Sequence, residues 1–377
     1  MNATPPLADI GVPKERLPGE RRVLMLPATV SEFRKAGFRV LVEYGAGEGI
    51  GISDQRYVEA GADLSSVDRV WACDAVFKYK APSRAEFGYF RTGLVLAGIL
   101  HAEGDHDLTE ALLRAGMTAY SYEFFSDAPG KFPLAAAGGQ IAGRMAALQA
   151  VQLLQSQFGG MGKLPGVQDD ELGRVTCVVI GSGNVGASAA ETLCALGCQV
   201  TVLASSEHSR VSARRRFALS APSLEVLVNN AETLRSRVAV SDIVIGAILI
   251  STFDTPAMVT QEMVRSMRAG SVLIDATAGY GGGYMPTFTT NTSLHSPRFV
   301  SDGVVHCKID NFPAAVPMTA VQTVNRLYPP YLIALARSLF HGVEDPVSAA
   351  GLMVRGGKVL HPELARHWTH NASSMPC

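Results

Sequence analysis

Val175-Thr-Cys-Val-Val-Ile180 is followed at once by Gly181-Ser-Gly-Asn-Val-Gly186, and that by Ala187-Ser-Ala-Ala-Glu-Thr-Leu-Cys-Ala-Leu196. The first stretch is an almost unbroken apolar run, as a strand buried on both faces requires. The third carries the small residues of a closely packed helix. Gly197 ends that helix, and Cys198-Gln-Val-Thr-Val-Leu203 opens a second strand. Each glycine of the turn has its own physical use: Gly181 permits the tight bend, Gly183 lets a pyrophosphate approach the backbone, and Gly186 lets helix and strand lie close together. Asn184 and Val185 stand at the helix start, where unpaired N–H groups and the helix dipole favour an anion. A G-x-G-x-x-G pattern alone is weak. Set between a strand and a helix in a βαβ unit, it reads as a dinucleotide-binding turn.

The end of the second strand bears on which dinucleotide. An acidic residue commonly holds the ribose hydroxyls of NAD there, but this chain has Ala204, then Ser205 and Ser206, with Arg210 and Arg214-Arg-Arg216 downstream. Without a carboxylate to repel it, a ribose phosphate can be held by hydroxyls and a guanidinium, which predicts NADP, with NAD as the alternative because Glu207 lies close by. Ser241-Asp-Ile-Val-Ile-Gly-Ala247 and Ser271-Val-Leu-Ile-Asp275 read as later strands of the same lobe. Gly246, Ala247 and Ile248 at a strand end would let the backbone pass close to the nicotinamide riboside.

Outward from this unit the same alternation continues. Arg39–Glu43, Ala75–Lys80, Leu94–Leu100 and Met117–Glu123 read as strands, and segments such as Thr109–Ala115 have helical spacing. The pattern predicts an α/β protein of two Rossmann-like lobes, each a doubly wound parallel sheet, separated by a cleft. Residues 1–137 with 315–377 are expected to form a substrate lobe, and 138–314 the nucleotide lobe. Hinges are expected near Gly138 and Asn311. The tail reads as helical through Leu339 and then loop-rich. At 377 residues, 47% hydrophobic and 18% charged, the chain has material for two cores. Its net charge of −1 supplies no field for nucleic acid or an anionic membrane, and no apolar stretch approaches the roughly 20 residues of a membrane span. Six scattered cysteines form no disulfide framework; Cys194 and Cys198 lack partner ligands and read as core thiols, so no metal is expected. A cytoplasmic location follows from these features and from the absence of a signal-like start.

Four polar residues of the first lobe follow strands, where the crevice of an open sheet lies. They are Arg22, Lys78, Lys80 and His101, the two lysines two apart and therefore on one face. Their surroundings carry a resemblance. Gly11-Val-Pro-Lys-Glu15, Glu20-Arg-Arg-Val23, Tyr44-Gly-Ala-Gly-Glu-Gly49, Lys78-Tyr-Lys-Ala-Pro82, Gly98-Ile-Leu-His101, Tyr122-Glu123, Ala142-Gly-Arg144, Val244-Ile-Gly-Ala247 and Asn311-Phe-Pro-Ala-Ala-Val-Pro317 occur in one order. Together they resemble the alanine dehydrogenase and transhydrogenase N-terminal family, with saccharopine dehydrogenases as distant relatives. The resemblance covers about residues 10–335. It implies an NAD(P)-dependent enzyme acting on an amino or oxo acid, with a homo-oligomer expected. It implies that Arg22 binds the substrate carboxylate, that Lys80 binds the carboxylate or polarises the carbonyl or imine, and that His101 exchanges the substrate proton. Asn311 and Asp275 would stand on the cofactor side.

The sequence departs from the family in one place that touches chemistry. An Asp-x-x-x-Asp-Gln-Gly-Gly pattern carries two aspartates in the family; here it reads Asp275-Ala-Thr-Ala-Gly279-Tyr-Gly-Gly-Gly283, and the second is glycine. Ala137-Gly-Gly-Gln140 likewise has less side-chain volume than the family's residues. Both changes predict a substrate larger than alanine, lined by Tyr280 or Tyr284; an N-substituted amino acid is one form of it. The rival readings are a lyase or cyclodeaminase with no net redox change, and a nucleotide-binding protein without catalysis.

Overall fold

The apolar runs close on one another as parallel strands in two separate sheets. The computed structural model of the chain describes residues 8–128, 131–167, 173–248, 257–277, 284–290 and 292–372. It divides into two compact units, Met1–Ala137 with Val316–Cys377, and Gly138–Ala315. The first contains β1 (Asp9–Val12), β2 (Arg39–Glu43), β3 (Asp63–Ser65), β4 (Ala75–Lys80), β5 (Val95–Ile99) and β6 (Thr118–Ser121), paired in parallel in the order β3-β2-β1-β4-β5-β6. The second contains β7 (Thr176–Ile180), β8 (Gln199–Ala204), β9 (Glu225–Val228), β10 (Ile243–Gly246), β11 (Val272–Asp275), β12 (Phe299–Ser301) and β13 (Val304–Lys308), in the order β9-β8-β7-β10-β11-β13-β12. Its β12 runs antiparallel at the edge. In each sheet the chain starts in the middle, winds one way, then returns and winds the other. That is the doubly wound order expected from the sequence, and it leaves a crevice at the carboxyl ends beside the first strand.

Alternation within each strand builds a core on both faces. Cys177 and Val179 of β7 join Val202, Ile245 and Ile274 in one cluster, under Ala146, Ala150 and Leu153 of the helix Pro133–Leu153. Val178 and Ile180 join Leu203, Val244 and Leu273 in the other. Cys177 and Cys198 are buried thiols of the first cluster, as core residues. The helix Pro133–Leu153 comes close to the helix Asn184–Ala195 because Gly143 has no side chain: a Cβ there would meet the Val185 carbonyl oxygen at 2.0 Å. Gly139 likewise faces Asn184 and Val185. Its small size therefore has a packing reason, where the sequence reading took it as space for substrate.

The tail returns to the first unit. Val321, Val324, Tyr328, Leu332 and Leu335, from the helices Pro317–Leu327 and Pro329–His341, complete its core beside Phe33, Phe77 and Tyr122. The expectation of a loop-rich end is corrected. β14 (Leu352–Arg355) and β15 (Lys358–Val359) form an antiparallel hairpin on β6, and the helix Pro362–Ala372 follows. Gly356 and Gly357, at φ 56° and 77°, make the two-residue turn. A Gly-Gly pair between short apolar runs is a hairpin signal that the sequence carried.

Candidate active site

In the second unit the turn after β7 is as tight as its glycines allow. Gly181 has φ 111°, and a Cβ there would strike the Ala247 carbonyl oxygen at 2.4 Å. A Cβ on Gly186 would meet the Gly181 carbonyl oxygen at 2.0 Å, so both are required by backbone packing. Gly183 differs: nothing lies within 4 Å of its Cβ position. The space left open there is at the first turn of the helix Asn184–Ala195, whose terminal N–H groups have no carbonyl partner within the helix. This cradle fits a dinucleotide pyrophosphate. Ala204 is buried at the end of β8, while Ser205 and Ser206 are exposed. Ser206 caps the helix Glu207–Ser220 by accepting from the Ser209 N–H, and Arg210 is held by Glu207 through Nε at 2.7 Å and NH2 at 2.5 Å. Ala247 and Ile248 follow β10, and Asn311 follows β13.

Asp275, expected on the cofactor side, is held by partners within its own unit. It is buried, and its Oδ1 accepts from the Thr277 N–H, the Thr277 hydroxyl and the Tyr284 hydroxyl, the last at 2.9 Å. Its Oδ2 accepts from Lys308 Nζ at 2.5 Å. These internal partners make it a tie between the ends of β11 and β13. Lys308 was missed from the sequence because a lysine at a strand end reads as solvent-facing. Tyr284 reaches Asp275 past Gly246, where a Cβ would lie 2.3 Å from its hydroxyl. Tyr284 is thus a buried structural residue. Tyr280 and Gly279 lie outside the described residues.

In the first unit the ends of β4 and β5 and the loop after β1 converge. Lys78 and Lys80 do not share a role, because the pairing of β4 with β5 is irregular between Phe77 and Lys80. Lys78 is fully buried, bonded to Glu86 at 2.9 Å and 3.4 Å from Glu15. It is a structural cation. Lys80 is only half-buried, and its charge is felt by His101. Burial first, and then the positive charge of Arg22, push the Lys80 ammonium down to about 8. Arg22 is buried with its guanidinium 4.2 Å over the Tyr79 ring, and Glu20 grips it through Nε at 2.7 Å and NH2 at 2.5 Å. Glu20 thereby fixes the plane of the fork.

His101 stands just past β5 at φ 45°, a left-handed conformation that costs a non-glycine residue energy and persists only where its surroundings enforce it. Here Glu123 enforces it: Oε1 accepts the His101 backbone N–H at 2.7 Å and faces Nδ1 at 3.4 Å. Burial and the Lys80 charge depress the imidazole to about 4, so at neutral pH it is uncharged and able to take a proton. Arg22, Lys80 and His101 are therefore brought into one electrostatic neighbourhood. Glu20, Tyr79 and Glu123 complete it. Of these, Glu20 and Glu123 lie inside the motifs quoted above, but nothing in the sequence distinguishes them from surface carboxylates.

The alanine dehydrogenase/PNT N-terminal domain model matches residues 11–142, and the alanine dehydrogenase/PNT C-terminal domain model matches residues 146–362. The chain belongs to the alanine dehydrogenase/PNT family. It is 36% identical to an alanine dehydrogenase of Bacillus subtilis over 361 residues, 95% of this chain and 94% of that one. Among solved structures it matches an L-alanine dehydrogenase with a TM-score of 0.85 at 32% identity, covering 96% and 99% of the two chains. A transhydrogenase of Sinorhizobium meliloti matches with a TM-score of 0.75 at 25% identity, covering 94% and 99%. Like its family, the protein is a nicotinamide-nucleotide-dependent oxidoreductase. Among the described residues no helix is long and apolar enough to cross a membrane.

Proposed function

We propose that the protein interconverts an amino acid and the corresponding oxo acid or imine at a CH–NH2 carbon, with Lys80 and His101 as its catalytic residues. The observation that carries this reading is the convergence of Arg22, Lys80 and His101 at the ends of β4 and β5, with His101 held at φ 45° by Glu123 and Arg22 held by Glu20. Arg22 and Lys80 supply positive charge for a carboxylate, and a guanidinium held flat by Glu20 suits a planar two-oxygen partner. Lys80 polarises the carbon to be reduced, and His101 gives or takes the proton on nitrogen or oxygen. The pyrophosphate would rest on Gly181, Gly183, Asn184, Val185 and Gly186, with Ala247, Ile248 and Asn311 toward the nicotinamide, which when bound supplies or accepts the hydride. Changing His101 to Ala should cost about 10²–10⁴-fold in rate with cofactor affinity unmoved. An equally fast variant would remove His101 from the chemistry.

The cofactor is proposed to be NADP(H). Ala204 offers no carboxylate, Ser205 and Ser206 are exposed beside a capped helix start, and Arg210 is near. Fluorescence titration should give tighter NADPH than NADH binding, and Ala204→Asp should reverse the order by repelling the phosphate. A wild-type preference for NADH would sink this assignment. The substrate is proposed to be larger than alanine, on the ground that Gly279 stands where the family has aspartate; Tyr280 would line its side chain. Gly279→Asp should then depress the native reaction by volume and charge. The free thiols of Cys73, Cys177, Cys194, Cys198 and Cys307 support a reducing, cytoplasmic setting, and a homo-oligomer is the proposed assembly.

A further inference from the structure

A second carboxyl that no sequence motif singles out lies beside His101. Glu103 is two residues along, in the loop between β5 and the helix His106–Arg114, and its Oε1 is 3.9 Å from His101 Nδ1. One ligand-type atom from each of His101, Glu103 and Glu123 falls within 4.8 Å of the others. Oε2 of Glu103 and Oε2 of Glu123 are both buried and lack a hydrogen-bond partner. Two carboxyls this close, each with an unpaired buried oxygen, cannot both carry a charge without heavy cost, and one of them keeps a proton.

We propose that Glu103 is a positioning residue of the reaction, a proton store that exchanges with Nδ1 of His101 while Nε2 exchanges with the substrate. The proposal rests on the reading of His101 as the group that moves the substrate proton. Burial and the Glu123 charge push the Glu103 carboxyl up to about 8, whereas burial and Lys80 push His101 down to about 4. Between those values a proton in this cluster rests on Glu103 rather than on the imidazole. In the reductive direction the Glu103 hydroxyl gives its proton to Nδ1 as Nε2–H gives its own to the substrate nitrogen or oxygen. The imidazole ends neutral in its other tautomer, and Glu103 ends as a carboxylate. Oxidation runs the same transfer backwards. One proton leaves and one arrives at each step, and His101 never has to become an imidazolium, the form its surroundings disfavour. Glu123 meanwhile holds the His101 backbone N–H with the same Oε1 that faces Nδ1 at 3.4 Å. The other charged groups facing Glu103 are Lys80 from the end of β4 and Glu363 from the first turn of the helix Pro362–Ala372. Glu363 is itself bonded to His367 at 3.0 Å.

The test is the pH dependence of kcat/KM in both directions for the full-length protein and its Glu103→Gln variant. The wild type should reduce best below about 8, with Glu103 protonated, and oxidise best above it. Glu103→Gln should lose about 10-fold or more in reductive kcat/KM and lose both of these limbs, with KM for the cofactor unmoved. Glu103→Asp should keep both limbs at a reduced rate. If Glu103→Gln fails to bind cofactor, Glu103→Asp decides alone, displaced limbs supporting the relay and limbs identical to wild type overturning it. Wild-type limbs in Glu103→Gln would assign them to Lys80 and overturn the relay while His101→Ala stayed impaired. An unimpaired His101→Ala would remove the reading of the site as well. Wild-type activity abolished by EDTA and restored by a divalent cation would also overturn it, since the three side chains would then serve a cation.

Discussion

Lys80 and Lys78 are two positions apart on one strand, yet their environments separate them completely. Lys78 has two carboxylates, Glu15 and Glu86, inside the core. Removing its charge leaves those buried carboxylates with hydrogen bonds from Tyr79 and Ser83 but no counter-charge, so Lys78→Met should destabilise the fold by about 3–5 kcal/mol. Chemical denaturation reads this directly, and an unchanged midpoint would show that Lys78 is not the counter-charge. Lys80→Met should instead raise stability at neutral pH, where burial opposes the ammonium, and should lower kcat while raising KM for the amino acid if one cation serves both binding and polarisation. The motif Lys78-Tyr-Lys80 showed that a strand ended in cations near a crevice. It did not show which one faced in, because that depends on the irregular pairing of β4 with β5, a relation between distant segments.

Strand ends position everything in the proposed chemistry, and they differ in how far the chain announces them. The β7 turn is legible in the chain, since Gly181 and Gly186 answer to close backbone packing and Gly183 leaves its Cβ position open at the helix start. The hairpin of β14 and β15 is equally local, but its strands are too short for alternation to mark them, and only the Gly-Gly turn signals it. The tie from β11 to β13 was not legible at all. Asp275 and Lys308 are 33 residues apart, and only the parallel register sets their charges at 2.5 Å. Lys308→Met should strip a buried carboxylate of its cation and cost about 3–5 kcal/mol. Replacing both, as Asp275→Asn with Lys308→Met, should recover part of that loss, since the pair and not either charge is what the strand ends require. Additive losses in that double variant would contradict the tie.

For the whole protein, the perturbed groups around His101 set how stability responds to pH. His101 is lowered from 6.5 to about 4, so its contribution is full above 6.5 and is lost as pH falls toward 4. Glu103 is raised from 4.5 to about 8, so its contribution is full below 4.5 and is lost as pH rises through 8. Lys80, lowered from 10.5 to about 8, contributes above 10.5 and loses that contribution as pH falls through 8. Between 6.5 and 8 Glu103 alone of the three holds a proton in the folded chain that it lacks in the unfolded one, so the Tm of Glu103→Gln should gain on the wild type as pH rises across that window. A constant difference between the two proteins would show that Glu103 is not held protonated by the fold. Hydride transfer at an amino-acid carbon with His101 handling the proton can be followed by single-turnover absorbance. Wild type and His101→Ala are each mixed with oxidised NADP and a panel of L-amino acids larger than alanine. The wild type should reduce the cofactor, and the variant should do so about 10²–10⁴-fold more slowly at equal cofactor occupancy. Product formed without net cofactor reduction, or equal rates from the two proteins, would contradict it.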